Sequence, residues 1–150
     1  MRQVNKATID LIKRFEGCVL HTYKDAVGLP TIGIGHLLLE GENYDEQITL
    51  EKAEMLLQLD LKLAINGVLR YIKVPLTDNQ FGALVSFAFN LGNGCLQAST
   101  MRRRINRGDY DVSNEFMKYN KAGRPLRVLR GLTKRRQAEA ILFGGSNDTI

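Results

Sequence analysis

Residues 15–38 read FEGCVLHTYKDAVGLPTIGIGHLL, and they contain the change of pattern that decides the fold. Up to Glu16 apolar residues recur at helical spacing, so residues 5–16 predict a short amphipathic helix that ends at Gly17. Beyond it, short extended runs flank the turn-rich sequence DAVGLP, which predicts a small antiparallel sheet up to about Leu39. Glycines in this sheet allow tight turns and the close approach of a ligand to the backbone: they are Gly28, Gly33 and Gly35.

The rest of the chain is predicted to be helical. Thr49 is a typical N-cap, and apolar residues at helical spacing extend a long helix to about residue 70. Pro75 ends this region, and Thr77 with Gln80 has the spacing of a capping box that opens a second apolar helix. Together with the sheet, this pattern predicts a mainly helical α+β protein. Arginine-rich helical segments are expected near 98–107, 109–119 and 132–143, and the end of the chain after Gly144 is expected to fray.

The composition is that of an ordinary globular protein. Of 150 residues, 44% are hydrophobic and 25% charged, which excludes a disordered or fibrous chain. No run approaches the roughly 18 apolar residues of a membrane span, and the N-terminus is charged, so we expect neither a signal peptide nor an anchor. Cys18 and Cys95 lack metal-ligand spacing and only two histidines are present. We therefore expect free thiols, no metal site and no cofactor.

The positive charge is concentrated in the second half of the chain. Residues 1–75 contain 9 basic and 10 acidic residues, whereas residues 76–150 contain 12 and 6. All the later basic residues fall within 102–136, a segment that favours a polyanionic partner. Nucleic acid, anionic lipid and a negatively charged cell-wall polymer all fit, and so does a merely solvated helical face.

Two carboxylates in contrasting settings are candidates for chemistry. Glu16 is expected among apolar neighbours at the negative end of a helix, where the charged form is disfavoured and a general acid is favoured. Asp25 lies nine residues on in a polar turn beside Lys24, which keeps a carboxylate ionised. In glycoside hydrolysis, one carboxyl group of such a pair protonates the leaving oxygen, and the other orients the attacking water or stabilises the transition state. The hydroxyl of Thr31 is placed to share a water with Asp25.

The pattern Glu16-x8-Asp25-x5-Thr31 closely resembles the catalytic stretch of the bacteriophage-type lysozymes, glycoside hydrolase family 24. The resemblance continues through FNLG at 89–92 and STMR at 99–102, and it ends with GLTKRRQAE at 131–139. It therefore covers nearly the whole chain.

This resemblance implies an endolysin that hydrolyses the β-1,4 bond between N-acetylmuramic acid and N-acetylglucosamine in peptidoglycan. Glu16 then corresponds to the general acid, and Asp25 and Thr31 to the pair that holds the attacking water, with inversion at the anomeric carbon. His36 corresponds to a histidine that braces the site. The residues implied in substrate binding are Gly35, His36, Leu37, Phe89, Thr100 and Asn114.

The resemblance also implies a single lysozyme domain over residues 1–150. It consists of a sheet-containing lobe at about 15–50, a connecting helix at about 49–70 and a helical lobe at about 75–143. The N-terminal helix packs near the helical lobe, and the saccharide cleft lies between the lobes. We expect a monomer in the host cytoplasm that reaches the periplasmic wall after a separate protein permeabilises the membrane. The basic segment 102–136 would assist docking to anionic envelope polymers.

The sequence departs from the family pattern in two places. Relatives usually carry an aromatic residue just before the threonine, where this chain has Leu29 and Pro30, and no tryptophan is present. Because Pro30 restricts Leu29 to extended geometry, the turn that carries Asp25 is expected to change shape.

Two other functions remain open at this point. A lytic transglycosylase would use Glu16 alone and release an anhydro sugar, although the presence of Asp25 and Thr31 argues against it. A small nucleic-acid-binding protein would use the arginine-rich helices on phosphates but leaves the Glu16, Asp25 and Thr31 pattern unexplained. We expect no nucleic-acid partner.

Overall fold

A computed structural model describes residues 1–145 of the chain. The expectation that the chain end frays falls mainly on residues 146–150, which lie outside this range. Helices and strands follow one another in the order α1 Lys6–Glu16, β1 Val19–Lys24, β2 Pro30–Gly33, β3 His36–Leu37, α2 Leu50–Tyr71, α3 Asp78–Leu91, α4 Asn93–Ala98, α5 Thr100–Asn106, α6 Ser113–Phe116, β4 Lys121–Ala122, β5 Arg127–Val128 and α7 Arg130–Gly145.

Polar side chains begin the main helices as the sequence predicts. The side chain of Thr49 accepts a hydrogen bond from the Lys52 amide at 3.1 Å at the start of α2. At the start of α3, Thr77 and Gln80 exchange both hydrogen bonds of the capping box. Each bond satisfies an amide that the first helical turn leaves without a partner, so the local sequence fixes where these helices begin.

The first three strands form the predicted antiparallel sheet, in the order β1-β2-β3. Tyr23 on β1 lies opposite Thr31 on β2, and Ile32 lies opposite His36 on β3. The mainly helical α+β fold with a small antiparallel sheet is thus confirmed.

Helix α3 is the centre of the hydrophobic core. Residues 81–88 are all buried, and α3 packs against α1, α2 and α7. Phe87 meets the rings of Phe116 and Tyr119 edge to face, with centroids 5.8 and 4.9 Å apart. Because α3 packs against both α1 and α7, it positions the two helices from which the candidate site is built.

The arginine-rich region differs from the prediction. The prediction of a helix at 109–119 is wrong except for the short helix α6. The side chain of Asp109 accepts a hydrogen bond from the Asp111 amide at 3.0 Å, and this contact forms a turn instead of a helix. Residues 121–128 form a hairpin, β4–β5, that was not predicted, and Gly123 enters its turn with φ +90°. The short helix α4 was also not predicted.

No helix within residues 1–145 combines the length and apolar character needed to cross a bilayer. Both cysteines are free thiols, with Cys18 exposed and Cys95 partly buried. Their Sγ atoms therefore add no covalent link to the packing of the helices.

The close approach of α1 to α3 yields a stability prediction. A Cβ added to Gly82 would overlap the buried hydroxyl of Thr8 on α1. We expect Gly82→Ala to lower the free energy of unfolding by about 2 kcal/mol, because overpacking shifts α1. Gly94 in α4 has open space around its α-carbon, so Gly94→Ala is the control and should be neutral or stabilising. Urea denaturation measures both, and an equal effect of the two substitutions would contradict the packing argument.

Candidate active site

Glu16 is the last residue of α1, and its side chain is partly buried. Its Oε2 accepts a hydrogen bond from Nη1 of Arg135 on α7 at 2.6 Å. The apolar setting expected from the sequence is therefore wrong, because the carboxylate faces a buried guanidinium.

Gly35 encloses the Glu16 carboxyl from the sheet side. It has φ +69°, and a Cβ at this position would lie 2.5 Å from Oε1 and 2.7 Å from the carboxyl carbon of Glu16. Only glycine allows both the backbone conformation and this close approach. The Glu16 carboxyl is thus held between the backbone at Gly35 and the side chain of Arg135.

A buried polar network lies behind this contact. Glu139 is fully buried, and its Oε2 accepts hydrogen bonds from Ser86 at 2.5 Å, from Arg136 Nη2 at 3.1 Å and from Arg135 Nε at 3.4 Å. With Glu16 included, two guanidinium groups face two carboxylates. This balance lets two arginines remain inside the protein without an uncompensated charge.

Asp25 and Thr31 are brought together through one residue, Leu29. The Oδ1 atom of Asp25 accepts a hydrogen bond from the Leu29 amide at 2.9 Å, and Thr31 Oγ1 donates to the Leu29 carbonyl at 3.0 Å. Val27 also donates its amide to Asp25 Oδ1 at 2.9 Å. The turn before Pro30 therefore fixes the Asp25 side chain, and the second oxygen, Oδ2, takes part in neither of these bonds.

Tyr23 on β1 is within electrostatic range of both candidate carboxylates and was missed by the sequence analysis. The pKa of its hydroxyl is raised by partial burial and then by the negative charges of Glu16 and Asp25. The negative charges of both carboxylates therefore disfavour deprotonation of the same phenol. The available signal was the position of Tyr23 two residues before Asp25, at the end of the predicted strand.

His36 is braced by two carboxylates. Its ring is buried, with Nδ1 2.7 Å from Asp60 Oδ2 on α2 and Nε2 3.0 Å from Glu42 Oε1. Burial lowers the His36 pKa, but the hydrogen bonds and charges of Asp60 and Glu42 outweigh this effect, so the pKa lies above its ordinary value. The opposing Glu42 pKa is lowered, first by a hydrogen bond from the Leu39 amide and then by His36.

The pKa of Asp60 responds differently from that of Glu42, although both carboxylates bind the same ring. Burial raises the Asp60 pKa and outweighs the hydrogen bond and charge of His36, which lower it. The brace thus places two equally exposed carboxylates, whose pKa values shift in opposite directions, on the two nitrogens of the imidazole.

A groove of about 360 Å³ runs between the sheet and the helices α2 and α3. Three of the predicted binding residues, Gly35, Leu37 and Phe89, line it together. Because Gly35 also touches Glu16, the groove leads to the candidate acid. Its other lining residues are Leu39, Asp60, Leu63, Ala64, Ala88, Gly92 and Asn93.

The remaining predicted binding residues do not line this groove. His36 turns its ring into the brace described above, and Thr100 is exposed on α5 with its Oγ1 accepting from Arg103 at 3.0 Å. Asn114 is exposed on α6. Substrate binding by these three residues stays a prediction.

A second groove, of about 380 Å³, lies between α1 and α7 on another face. It is slightly larger, but it contains none of the predicted site residues. Chemistry rather than volume therefore selects the groove beside Gly35 as the candidate site.

Arg135 and Asp60 were also missed by the sequence analysis, although a signal was present for each. Arg135 and Glu139 stand four residues apart in a helical segment, the spacing of a pair on one face. Asp60 interrupts the apolar stripe of α2, four residues after Leu56 and four before Ala64. A charged residue on a buried stripe indicates a partner on a neighbouring element.

Comparison with known proteins agrees with the sequence resemblance. The profile of the phage lysozyme family matches residues 13–139. An endolysin of Bacillus phage B103 is 42% identical over 148 residues, covering 93% of this chain and 53% of that protein. An endolysin of Acyrthosiphon pisum secondary endosymbiont phage 1 is 41% identical over 143 residues, covering 93% and 97%. The chain thus spans about half of the first relative and nearly all of the second.

Solved structures share the fold. An endolysin from Escherichia coli O157:H7 phage FAHEc1 superimposes with a TM-score of 0.89 at 35% identity, covering 97% of this chain and 95% of that one. The muramidase domain of SpmX from Asticaccaulis excentricus gives a TM-score of 0.85 at 33% identity, covering 95% and 98%. The α+β fold is therefore lysozyme-like.

The contact between Gly35 and Glu16 predicts a selective loss of activity. In Gly35→Ala the new methyl group displaces the Glu16 carboxyl, and we expect peptidoglycan hydrolysis to fall at least about a hundredfold. Gly108→Ala is the matched control. Gly108 has φ +86° and open space around it, so its alanine variant introduces a similar backbone strain without a steric overlap. Turbidity of a peptidoglycan suspension measures activity, and a similar loss in both variants would show that only backbone strain matters.

The His36 brace predicts a pH-dependent stability. The pKa of His36 is raised in the folded protein, so the charged brace stabilises the fold fully below the ordinary histidine pKa of 6.5. This stabilisation is lost as the pH rises through the raised pKa of the folded state. We expect His36→Gln to lower the free energy of unfolding by about 2 kcal/mol at pH 6 and by less at pH 9. Urea denaturation of His21→Gln, at the exposed histidine, is the control and should show no such difference. A His36→Gln effect that is equal at both pH values would contradict the charged brace.

Proposed function

The chain belongs to the phage lysozyme family, a class of glycoside hydrolases, and we propose that it is an endolysin acting as a muramidase. Its reaction is hydrolysis of the β-1,4 bond between N-acetylmuramic acid and N-acetylglucosamine in bacterial peptidoglycan, which lyses the host cell. The observation that carries this proposal is the position of the Glu16 carboxyl, held between Gly35 and Arg135 beside the groove. Similarity to a muramidase domain over nearly the whole chain supports it.

Glu16 is the proposed general acid. Its carboxyl donates a proton to the glycosidic oxygen as the bond to the anomeric carbon breaks. Asp25 and Thr31 hold a water whose oxygen attacks the anomeric carbon from the opposite face, and Asp25 takes the proton that the water releases. The new bond forms opposite the old one, so the configuration inverts.

Arg135 positions the acid in this proposal. Its Nη1 holds Glu16, while Nη2 donates to Ser86 at 3.4 Å and Nε faces Glu139. Because Ser86 and Glu139 also hold the guanidinium, its place does not depend on the charge of Glu16. Glu16 can therefore gain and lose a proton during turnover while the arginine stays in place.

The groove is the proposed saccharide site. Leu37 and Phe89 offer apolar surface for sugar rings, and Gly35 brings the glycan chain to Glu16. The two-lobe organisation is part of this proposal: a sheet-containing lobe at about 15–50, a connecting helix at about 49–70 and a helical lobe at about 75–143 enclose the glycan.

The location and partners of the protein are proposals of the same kind. The enzyme acts as a monomer on peptidoglycan, after a separate protein opens the membrane between the host cytoplasm and the wall. In the basic segment 102–136, which is proposed to assist docking to anionic envelope polymers, Arg102 and Arg103 each donate a hydrogen bond to a carbonyl at the end of α4. Arg104 is likewise paired with Asp109 at 2.8 Å.

Two isosteric substitutions test the proposed chemistry. Glu16→Gln removes the proton donor, and we expect lysis to fall by at least about a thousandfold. Asp25→Asn retains the oxygen that accepts from Val27 and Leu29 but removes the base, so hydrolysis should also collapse. Turnover is measured on purified peptidoglycan, with circular dichroism as the check that each variant folds.

The two variants also separate the alternatives. Substantial lysis by Glu16→Gln would overturn its role as the acid. Turnover at the wild-type rate by Asp25→Asn would favour a lytic transglycosylase, which needs only one acid.

A further inference from the structure

The β4–β5 hairpin projects from the body of the protein. Residues 123–128 are all exposed, and Leu126 and Val128 retain 72% and 57% of their accessible surface. A two-stranded hairpin gains little stability by itself, and this one buries almost no apolar surface in return. Its two exposed apolar side chains are thus available to a partner.

Unpaired positive charge surrounds these apolar residues. Between Glu115 and Glu139 the sequence has eight basic residues and no acidic one. Lys118 pairs with Glu115, and two arginines are buried in the network around Glu139. The other five are exposed and form no ion pair within the described residues: Lys121, Arg124, Arg127, Arg130 and Lys134. These five residues with Leu126 and Val128 are called the hairpin patch.

The strand register interleaves the two kinds of side chain. Lys121 lies directly opposite Val128, and Ala122 lies opposite Arg127. Cross-strand partners share one face, so a cation stands beside an exposed apolar residue. This arrangement differs from α5, where Arg102, Arg103 and Arg104 are engaged by the protein itself.

We propose that the hairpin patch docks on the surface of an anionic lipid bilayer. The five cations bind lipid phosphates, Lys121 from the face of Val128 and Arg127 from the opposite face of the hairpin, while Leu126 and Val128 enter the boundary between headgroups and acyl chains. Nucleic acid or a charged wall polymer would bind only the cations, because neither has an apolar layer that the two aliphatic side chains could enter. Lipid binds both components of the patch. This interaction is separate from the proposed hydrolysis and does not depend on it.

The test is co-sedimentation of the full chain with vesicles of phosphatidylcholine alone or with 30 mol% phosphatidylglycerol, roughly the charge density of an anionic leaflet. We expect binding at least about tenfold tighter to the anionic vesicles. The triple variant Lys121→Gln, Arg124→Gln and Arg127→Gln should lose about a hundredfold in affinity for them. The double variant Leu126→Ser and Val128→Ser should lose about fivefold to tenfold at unchanged charge.

Matched controls separate the hairpin patch from net charge and general apolar exposure. Lys62→Gln, Arg70→Gln and Lys73→Gln remove the same charge from exposed positions on or near α2 and should change affinity less than about threefold. Met55→Ser and Leu59→Ser are the apolar control, because both residues are half exposed on α2. An equal loss in a control variant would overturn the proposal. So would unchanged vesicle binding by the Leu126→Ser, Val128→Ser variant, or binding to duplex DNA as tight as binding to the anionic vesicles.

Discussion

The ion pair between Glu16 and Arg135 is the contact on which the arrangement of the molecule depends. It joins the end of α1 to the first turns of α7, across 119 residues of sequence. A guanidinium that is 4% exposed is stable only with partners, and Glu16, Glu139 and Ser86 supply them. Because Ser86 belongs to α3, one polar network connects α1 and α7 to the central helix, in addition to the apolar packing that joins these helices.

The same constraint makes a chemical site on the sheet side. The Glu16 carboxyl reaches Gly35, which leaves no room for a side chain, and the next residue, His36, ties β3 to Asp60 on α2. The sheet therefore cannot move relative to α2 without breaking the partly buried hydrogen bond between His36 and Asp60. The groove beside Gly35 therefore lies next to the Glu16 carboxyl, and the turn that carries Asp25 follows β1 of the same sheet.

Local signals in the sequence predicted most of the fold, since Thr49 and Thr77 cap the helices that their spacing indicates. The three candidate catalytic residues lie within sixteen positions, so a local pattern was enough to find them. Arg135 was not found because its role depends on a contact with a residue far away in sequence, and composition alone placed it among solvent-facing cations. The hairpin was missed because it lies between the helices expected at 109–119 and 132–143, in a stretch for which no strand was predicted, although Gly123 and Pro125 are typical turn residues.

The most direct test of the central claim is mass spectrometry of the soluble fragments that the purified protein releases from peptidoglycan, with Glu16→Gln as the blank. Hydrolysis by Glu16 with a water held at Asp25 and Thr31 predicts fragments that end in reducing muramic acid and have gained one water. Fragments that end in anhydromuramic acid, lighter by one water, would contradict this mechanism, and the absence of fragments would contradict the activity itself.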